Sequence, residues 1–437
     1  MVESWDTNVY LSPHETARNQ CRAKRKIPLG TTIIKDKALS AVLIPSEKGK
    51  RCDNCFKFKQ SLLKRCSGCA EYWYCGSPCQ TKHWKKGHRH MCKKIPKHQA
   101  SIDFQASPPH KQLDGILLSH LLAGYRDRLI EDNTFLDNKE DDFADPFATF
   151  KSLLPLSTET EEEIPPLIIP VGSNIDTSVL KRLYSRFRNN NFLVHSHLNG
   201  IAHGIFPLAS RLLNHSCIPN AAVSYSLDPE GISMSVIAIS DIEPDDEIVI
   251  PYFDPALPYS TRRSICSLEY GFECTCRNCS FFKTIGEIPL PPEVSSSENQ
   301  RIEEQLLPYA FPDAQNICLP RDALLFDLPR NLYPILHEKY LPSISSTFTN
   351  ASHDRQYELA LRSGMILLGL YFIVYPPKYP QIGVQCLEIA KTAWNASTLE
   401  EEGELANQTC GKHRIIFSPG LNAQRLYFYF TVQYSYT

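Results

Sequence analysis

Four consecutive pairs of cysteine or histidine lie between residues 52 and 92: Cys52-x2-Cys55, Cys66-x2-Cys69, Cys75-x3-Cys79 and His88-x3-Cys92. Two side chains two or three residues apart can grip one ion, because a tight turn aims both at a single point. Two such pairs close a tetrahedral site, so eight ligands suffice for two zinc ions. Unbound buried cysteine is the competing reading, and it does not account for four successive pairs. His83, His90 and His98 lie nearby. Only His88 keeps the paired spacing, so the others are expected at the surface. A second group, Cys274-x-Cys276-x2-Cys279, is one ligand short of a closed site. Its fourth ligand has to come from elsewhere. Cys21, Cys266, Cys318, Cys386 and Cys410 read as ordinary small buried residues.

The 16 cysteines bear on the compartment. The N-terminus MVESWDTNVY is polar and has no apolar core of a secretory signal, so a disulfide framework is not expected. No stretch approaches the roughly 20 apolar residues that cross a bilayer, and Met365 to Tyr375 fits a buried helix. The 437 residues suggest about three domains. The net charge of -2 argues against a dedicated nucleic-acid binder unless charge is segregated. It is. Residues 48–98 hold 14 Lys/Arg against 2 Asp/Glu, and residues 131–163 hold 11 acids against 2 bases. Zinc lowers the first figure: four thiolates around an ion leave about -2, and three with a neutral His about -1, so the loaded module is nearer +9 than +12. That face can contact phosphate or an acidic protein, or simply keep a core-poor module in solution. The acidic run reads as a solvated surface.

Leu113, Ile116, Leu117, Leu121 and Leu122 recur at helical spacing, as do Val179, Leu180, Leu183, Tyr184 and Phe187. Between 190 and 252 the chain becomes rich in Gly and Pro. Short β-type runs appear there at Ala221–Tyr225, Ser233–Ile239 and Glu247–Tyr252. Residues 285–299 read as a linker. Beyond it, Arg355–Tyr375 and Ile382–Trp394 are helical runs, separated by a turn at YPPKYP.

The run Tyr74, Cys75, Cys79, Gln80, Trp84, His88 and Cys92 resembles a MYND zinc finger. The resemblance implies interleaved sites, which spacing alone leaves open: Cys52, Cys55, Cys75 and Cys79 on one ion, and Cys66, Cys69, His88 and Cys92 on the other. It also implies a protein partner, proline-rich or acidic, rather than DNA. Further on, Asn214-His215-Ser216-Cys217-Ile-Pro219-Asn220, Glu247 five residues before Tyr252, and the cysteines at 274–279 follow in the order of a SET domain. The SET domain is the fold of protein lysine methyltransferases that use S-adenosylmethionine. A SET domain interrupted by a MYND finger is the arrangement of the SET-and-MYND (SMYD) family, and the chain resembles a fungal-type member.

That resemblance implies an α+β fold: a β-rich SET fold split by the finger, with a post-SET zinc site and a helical C-terminal region. The segments expected are 1–50 (first part of SET), 51–98 (finger), 99–188 (helical intervening region), 189–265 (SET core), 266–284 (post-SET cluster), 285–299 (linker) and 300–437 (helical region with a divergent tail). It implies Cys217 as fourth ligand of Cys274, Cys276 and Cys279, making three structural zinc ions. It implies S-adenosylmethionine as cofactor, and a histone or non-histone lysine as substrate. Tyr252 is expected to orient the lysine amine. Asn214 and His215 are expected to bind the cofactor through backbone and side chain, Tyr270 and Phe272 to wall the lysine channel and stack on adenine, and Asn190, ahead of Phe192, to touch the cofactor. Aromatic walls attract a cationic or methylated amine. Nucleus and cytoplasm are the expected locations, with no membrane association.

Two departures stand out. The family opens with Gly-x-Gly, and here the aligned stretch is Arg18-Asn19-Gln20-Cys21-Arg22-Ala23. If Arg18 and Gln20 had to adopt glycine conformations, strain of about 1–3 kcal/mol would weaken cofactor binding. Asn19 is the side chain left to contact the cofactor. The tail after Trp394 decays into an aromatic run beginning at Leu426, a sticky strand by composition. The departures keep a second reading open, a catalytically weak zinc scaffold in transcriptional regulation. A direct DNA-binding regulator is third. The finger, with its own metal-held core, is expected to act separately from the methyltransferase core.

Overall fold

The structure, a computed structural model, describes residues 8–14, 17–60, 62–131, 143–155, 163–169, 175–196, 199–294, 296–312 and 324–406. Most of the acidic run, Cys318, Cys410 and the tail from 407 lie outside the described residues. The chain forms two compact units. The first comprises the chain to Asn214, Ala221–Ile250 and Ile265–Phe272. The second comprises His215–Asn220, Pro251–Ser264 and the chain from Glu273.

The first unit is built on small antiparallel sheets. Gly231–Ala238 is the centre of one, between Ala221–Asp228 and Thr32–Lys37. Its Ile232, Met234, Val236 and Ala238 are buried and the residues between them less so, the period-2 pattern of a strand with one core face. Asn199–Ile205 is the centre of another, between Ser40–Leu43 and Asn191–Ser196. A hairpin pairs Val9–Ser12 with Gln20–Ala23. The expected strand at 247–252 shrinks to Val249–Ile250, with Glu247 in an isolated bridge to Arg22.

Both helical periodicities hold, as Pro109–Gly124 and Thr177–Phe187. Leu113, Leu117 and Leu121 from the first pack with Val179, Leu183 and Phe187 from the second and with Phe147 and Phe150 of Pro146–Ser152. Val42 and Ile205 bring the sheet into the same core. Asp145 caps the Pro146–Ser152 helix by accepting from Phe147 N at 3.0 Å, and Arg128 holds that carboxylate in a two-point ion pair.

The core of the finger extends into the helical region. Its cysteines, Tyr72, Tyr74, Met91 and Ile95 share one cluster with Ala123 and Ile168 of the helical region. At Gly87 (φ 144°) an added Cβ would sit 2.8 Å from Ala123 Cβ, so only glycine allows this approach. On another side, Lys86 Nζ donates to Glu230 O (2.6 Å), Asn54 Nδ2 donates to Pro229 O (3.0 Å), and Lys82 pairs with Glu230. The finger therefore grips the turn of the Ala221–Asp228/Gly231–Ala238 hairpin.

The second unit is mainly helical. Tyr340–His353 turns into Tyr357–Val374, with Arg355 at φ 60°, and Tyr357–Val374 turns into Pro380–Ala406, with Lys378 at φ 64°. Tyr357–Val374 is long and apolar enough to cross a membrane by composition. Here it is the central helix of the bundle, with Ile366, Leu367, Leu368 and Leu370 buried. Gly364 lets Phe348 and Ile389 approach from the flanking helices. Arg277–Ile285 ends at Gly286 (φ 72°), and Ser297–Ala310 begins behind Ser296, whose hydroxyl caps Asn299 N. The expected linker thus occupies a shorter gap than 285–299.

Candidate active site and metal centres

The three metal-ligand sets assemble as expected, each with its four ligand atoms within 4.8 Å of one another: Cys52, Cys55, Cys75 and Cys79; Cys66, Cys69, His88 and Cys92; Cys217, Cys274, Cys276 and Cys279. Zinc fits them. A tetrahedron with Zn–S near 2.3 Å has S···S edges of about 3.8 Å, and an S···N edge to His is about 3.6 Å. The separations are 3.5 Å for Cys55–Cys75, 3.7 Å for Cys66–Cys92 and 3.7 Å for Cys217–Cys279. His88 Nε2 lies 3.6 Å from Cys66 Sγ and 3.7 Å from Cys69 Sγ. The turns do what the pair spacing requires. Cys75 N donates to Cys52 Sγ at 3.4 Å, and the Gly68 and Cys69 amides point at Cys66.

The chemistry of the donor sets calls for a cation. Burial, and next the Cys69 sulfur, pushes the Cys92 thiol up to about 12. Burial, and next Cys52, pushes Cys79 up to about 11. Sulfurs this close ionise together only around a dication. At the third set, Arg262 is 2% exposed. Its Nε donates to Leu257 O at 2.9 Å and its Nη2 to Asn278 Oδ1 at 3.3 Å, beside ligand Cys279, while Nη1 has no partner among the described residues. A buried guanidinium needs a countercharge. The charge of about -2 on a four-thiolate zinc site supplies one.

His83 and His98, expected at the surface, are buried. His83 Nδ1 pairs with Tyr74 OH at 2.8 Å, and its ring stacks on His88 (5.1 Å) and His120 (5.3 Å). Burial lowers the pKa of both His83 and His120, the latter to about 3, so the stack is of neutral rings. His98 Nε2 faces Pro166 O at 3.1 Å. Ligand spacing reports the metal set and nothing of this packing, so these histidines were not distinguishable in the sequence.

In the first unit, the SET-type residues meet at Asn214. Its amide donates to Asn19 O (2.8 Å) and to Glu247 Oε1 (2.7 Å). Both amide protons are thereby engaged, which leaves Oδ1 as the polar atom that side chain can still offer a ligand. Asn19 Oδ1 accepts from Arg211 Nη2 at 2.8 Å, so its side chain also has a structural role. Arg18 Nη1 donates to Ser152 O at 2.8 Å. Neither Arg18 nor Gln20 has positive φ. Gln20 to Ala23 is ordinary extended strand, and the strain expected from the missing glycines is not present. Asn190 is 8% exposed and donates to Arg186 O at 2.6 Å, closing the turn after Thr177–Phe187. Phe192 packs edge-on against Phe206. Tyr270 and Phe272 lie 6.3 Å apart across Gly271 (φ 72°). Burial holds the Tyr270 phenol protonated, pushed up to about 12.

In the second unit, Tyr252 N donates to His215 Nδ1 at 3.0 Å, and His215 Nε2 lies 3.3 Å from Cys217 Sγ. The His215 ring also packs on Tyr252 (5.3 Å) and Phe253 (4.5 Å). Both ring nitrogens face protein groups. Two residues on, Asp254 Oδ2 accepts from Tyr375 OH at 3.1 Å. Phe253, Asp254 and Arg262 carried no motif that would have singled them out.

The family profile described as SET domain matches residues 20–253, more than half of the chain. Histone-lysine N-methyltransferase ASHR1 of Arabidopsis thaliana is 28% identical over 264 residues, covering 58% of this chain and 51% of that protein. The chain thus spans about half the length of that relative. Histone-lysine N-methyltransferase SMYD3 of Homo sapiens is 24% identical over 384 residues, 85% of each chain. N-lysine methyltransferase SMYD2-B of Danio rerio is 26% identical over 404 residues, again 85% of each.

Proposed function

Because the chain belongs to the SET domain family and carries a MYND-type finger inside that domain, we propose that it is an S-adenosylmethionine-dependent protein lysine methyltransferase. The observation that carries the reading is the SET match over 20–253, which takes in Asn214, Glu247 and Tyr252. S-adenosylmethionine, when bound, supplies an electrophilic methyl carbon for attack by a neutral lysine ε-amine. The residues of this chain bind, orient and exclude water; they do no covalent chemistry.

In this reading Tyr252 is the catalytic residue, its hydroxyl orienting the incoming amine. Asn214 Oδ1 and the backbones of Asn214 and His215 receive the methyl donor. Asn19 supports that cradle through its carbonyl bond to Asn214, and Asn190 through its place at the Asn191–Ser196 strand. Tyr270 and Phe272 supply aromatic walls for a lysine. The unstrained path of Arg18–Ala23 supports a competent binding loop over the weak-scaffold alternative.

The substrate is a protein lysine, on histone or non-histone chains, and the proposed location is nucleus and cytoplasm. The proposed partner of the finger is a proline-rich or acidic protein segment: Phe58 and Leu62 are exposed there, at 57% and 67%, on a basic module. The test is transfer of labelled methyl from S-adenosylmethionine to histones and cell-extract proteins. Label on lysine that is lost in Tyr252→Phe is the expected result. Transfer that is absent, or that ignores Tyr252→Phe, overturns the reading.

A further inference from the structure

Tyr252 hangs from its own backbone, and what fixes that backbone is a histidine bound to a metal ligand. The Tyr252 amide donates to His215 Nδ1 (3.0 Å), so Nδ1 is an acceptor and Nε2 is the ring's donor. Nε2 points at Cys217 Sγ, 3.3 Å away, in the third ligand set. An N–H directed at a zinc-bound thiolate is a charge-assisted bond, stronger than one to a neutral thiol. The ring face is clamped by Phe253 at 4.5 Å. Cys217 is itself 1% exposed and lies 3.7 Å from Cys279, so the far end of the chain of contacts is buried within the ligand set. Every group named here belongs to the second unit.

We infer that His215 is a positioning residue: its ring ties the backbone of Tyr252 to zinc-bound Cys217, so the third metal site sets where the Tyr252 hydroxyl stands. The functional part rests on the methyltransferase reading; the coupling of metal to tyrosine does not. Two substitutions separate the ends of the link. His215→Asn keeps an acceptor where Nδ1 was and removes the donor to Cys217. His215→Gln keeps a polar group where Nε2 was and removes the acceptor for the Tyr252 amide. Both are made in the full-length, zinc-loaded protein.

Three readouts are taken. The first is the rate of zinc release to a chromogenic chelator, with the third site identified by its loss in Cys274→Ser. His215→Asn should speed that release, by roughly 10- to 100-fold if affinity follows the usual effect of outer-sphere partners, while His215→Gln stays within about threefold of wild type. The second is the split between kcat and S-adenosylmethionine affinity. In His215→Gln kcat should fall by roughly tenfold or more with affinity nearly unchanged, as expected where a reacting group is misplaced. A matching fall in affinity would show that the ring serves the cofactor directly, and would overturn the proposal.

The third readout needs neither variant to fold and no activity. With 3-fluorotyrosine placed at 252 in otherwise wild-type protein, the fluorine resonance should move when chelator removes the third zinc. It should hold still when Cys52→Ser removes a finger zinc instead. A resonance indifferent to the third zinc would end the idea, whatever the fate of the methyltransferase reading.

Discussion

Asn214 donates to a carboxylate oxygen of Glu247 at 2.7 Å and to the carbonyl of Asn19 at 2.8 Å, so one amide joins three separate stretches of chain. A hydrogen bond to a charged group contributes about 1.5–3 kcal/mol, and leaving its partner unsatisfied costs about as much. Asn214→Ala should destabilise the protein by about 2–3 kcal/mol in denaturant melts. Asn214→Asp should be worse, because two carboxylates then face each other. In Glu247→Gln an oxygen still accepts from Asn214, so the loss should be nearer 1 kcal/mol. Equal melts for the Asp and Ala variants would show that Glu247 is not the anion this pair implies.

Three zinc ions per chain are expected, all structural, because twelve ligands close three sites and leave no position for water. Elemental analysis of purified protein should give three, and Cys217→Ser should give two. A count of two in the wild type would remove Cys217 from the ligand set.

The finger's shared core makes a prediction opposite to modular independence. Gly87→Val puts side-chain atoms into Ala123 at a φ of 144° that valine rarely adopts. It should cost about 3 kcal/mol or more through overpacking and backbone strain together. Cys52→Ser with Cys55→Ser should lower the melting temperature of the methyltransferase core as well as releasing zinc. An unchanged core transition, followed by tryptophan-independent probes on the Ala221–Asp228 hairpin, would contradict this.

Asp36 is 7% exposed, and burial raises its carboxyl to about 7, partly offset by the Ala209, Leu208 and Lys37 amides that it accepts. Its ordinary value is 3.8. A raised carboxyl binds its proton more tightly when folded, so its contribution to stability is complete below about pH 4 and is lost as pH climbs to about 7. Relative to Asp36→Asn, the wild type should therefore lose stability on the order of 4 kcal/mol between pH 4 and 8. Parallel stability curves for the two proteins would refute the shift.

At the opening loop, the absence of positive φ at Arg18 and Gln20 reverses the steric expectation. Glycine at both positions should not tighten S-adenosylmethionine binding. It should weaken it a few-fold, because Arg18 loses its bond to Ser152 O and the loop gains freedom when unbound. A severalfold gain in calorimetric affinity would restore the strain argument.

Cysteine pairing, helical periodicity and the Asn214–Asn220 motif were legible in the sequence because each is a local pattern. Chelation is encoded by neighbours two or three residues apart, and a helix face by residues three or four apart. So the chelating pairs, the Pro109–Gly124 and Thr177–Phe187 helices and the SET order of motifs could be read directly, while the sharing of pairs between ions and the place of Cys217 came from the family resemblance. Tertiary structure decided what depends on residues far apart in the chain. His83 and His98 are buried by packing that no spacing reports, and the finger leans on Ala123 and the Pro229–Glu230 turn. The path of Gln20–Ala23 is set by pairing with Val9–Ser12 rather than by its missing glycines. His215 looked like a cofactor ligand, yet Tyr252 and Cys217 engage both of its ring nitrogens. A side chain's polar atoms are shared among whatever neighbours the fold brings within about 3 Å, and that choice is made only when distant segments meet.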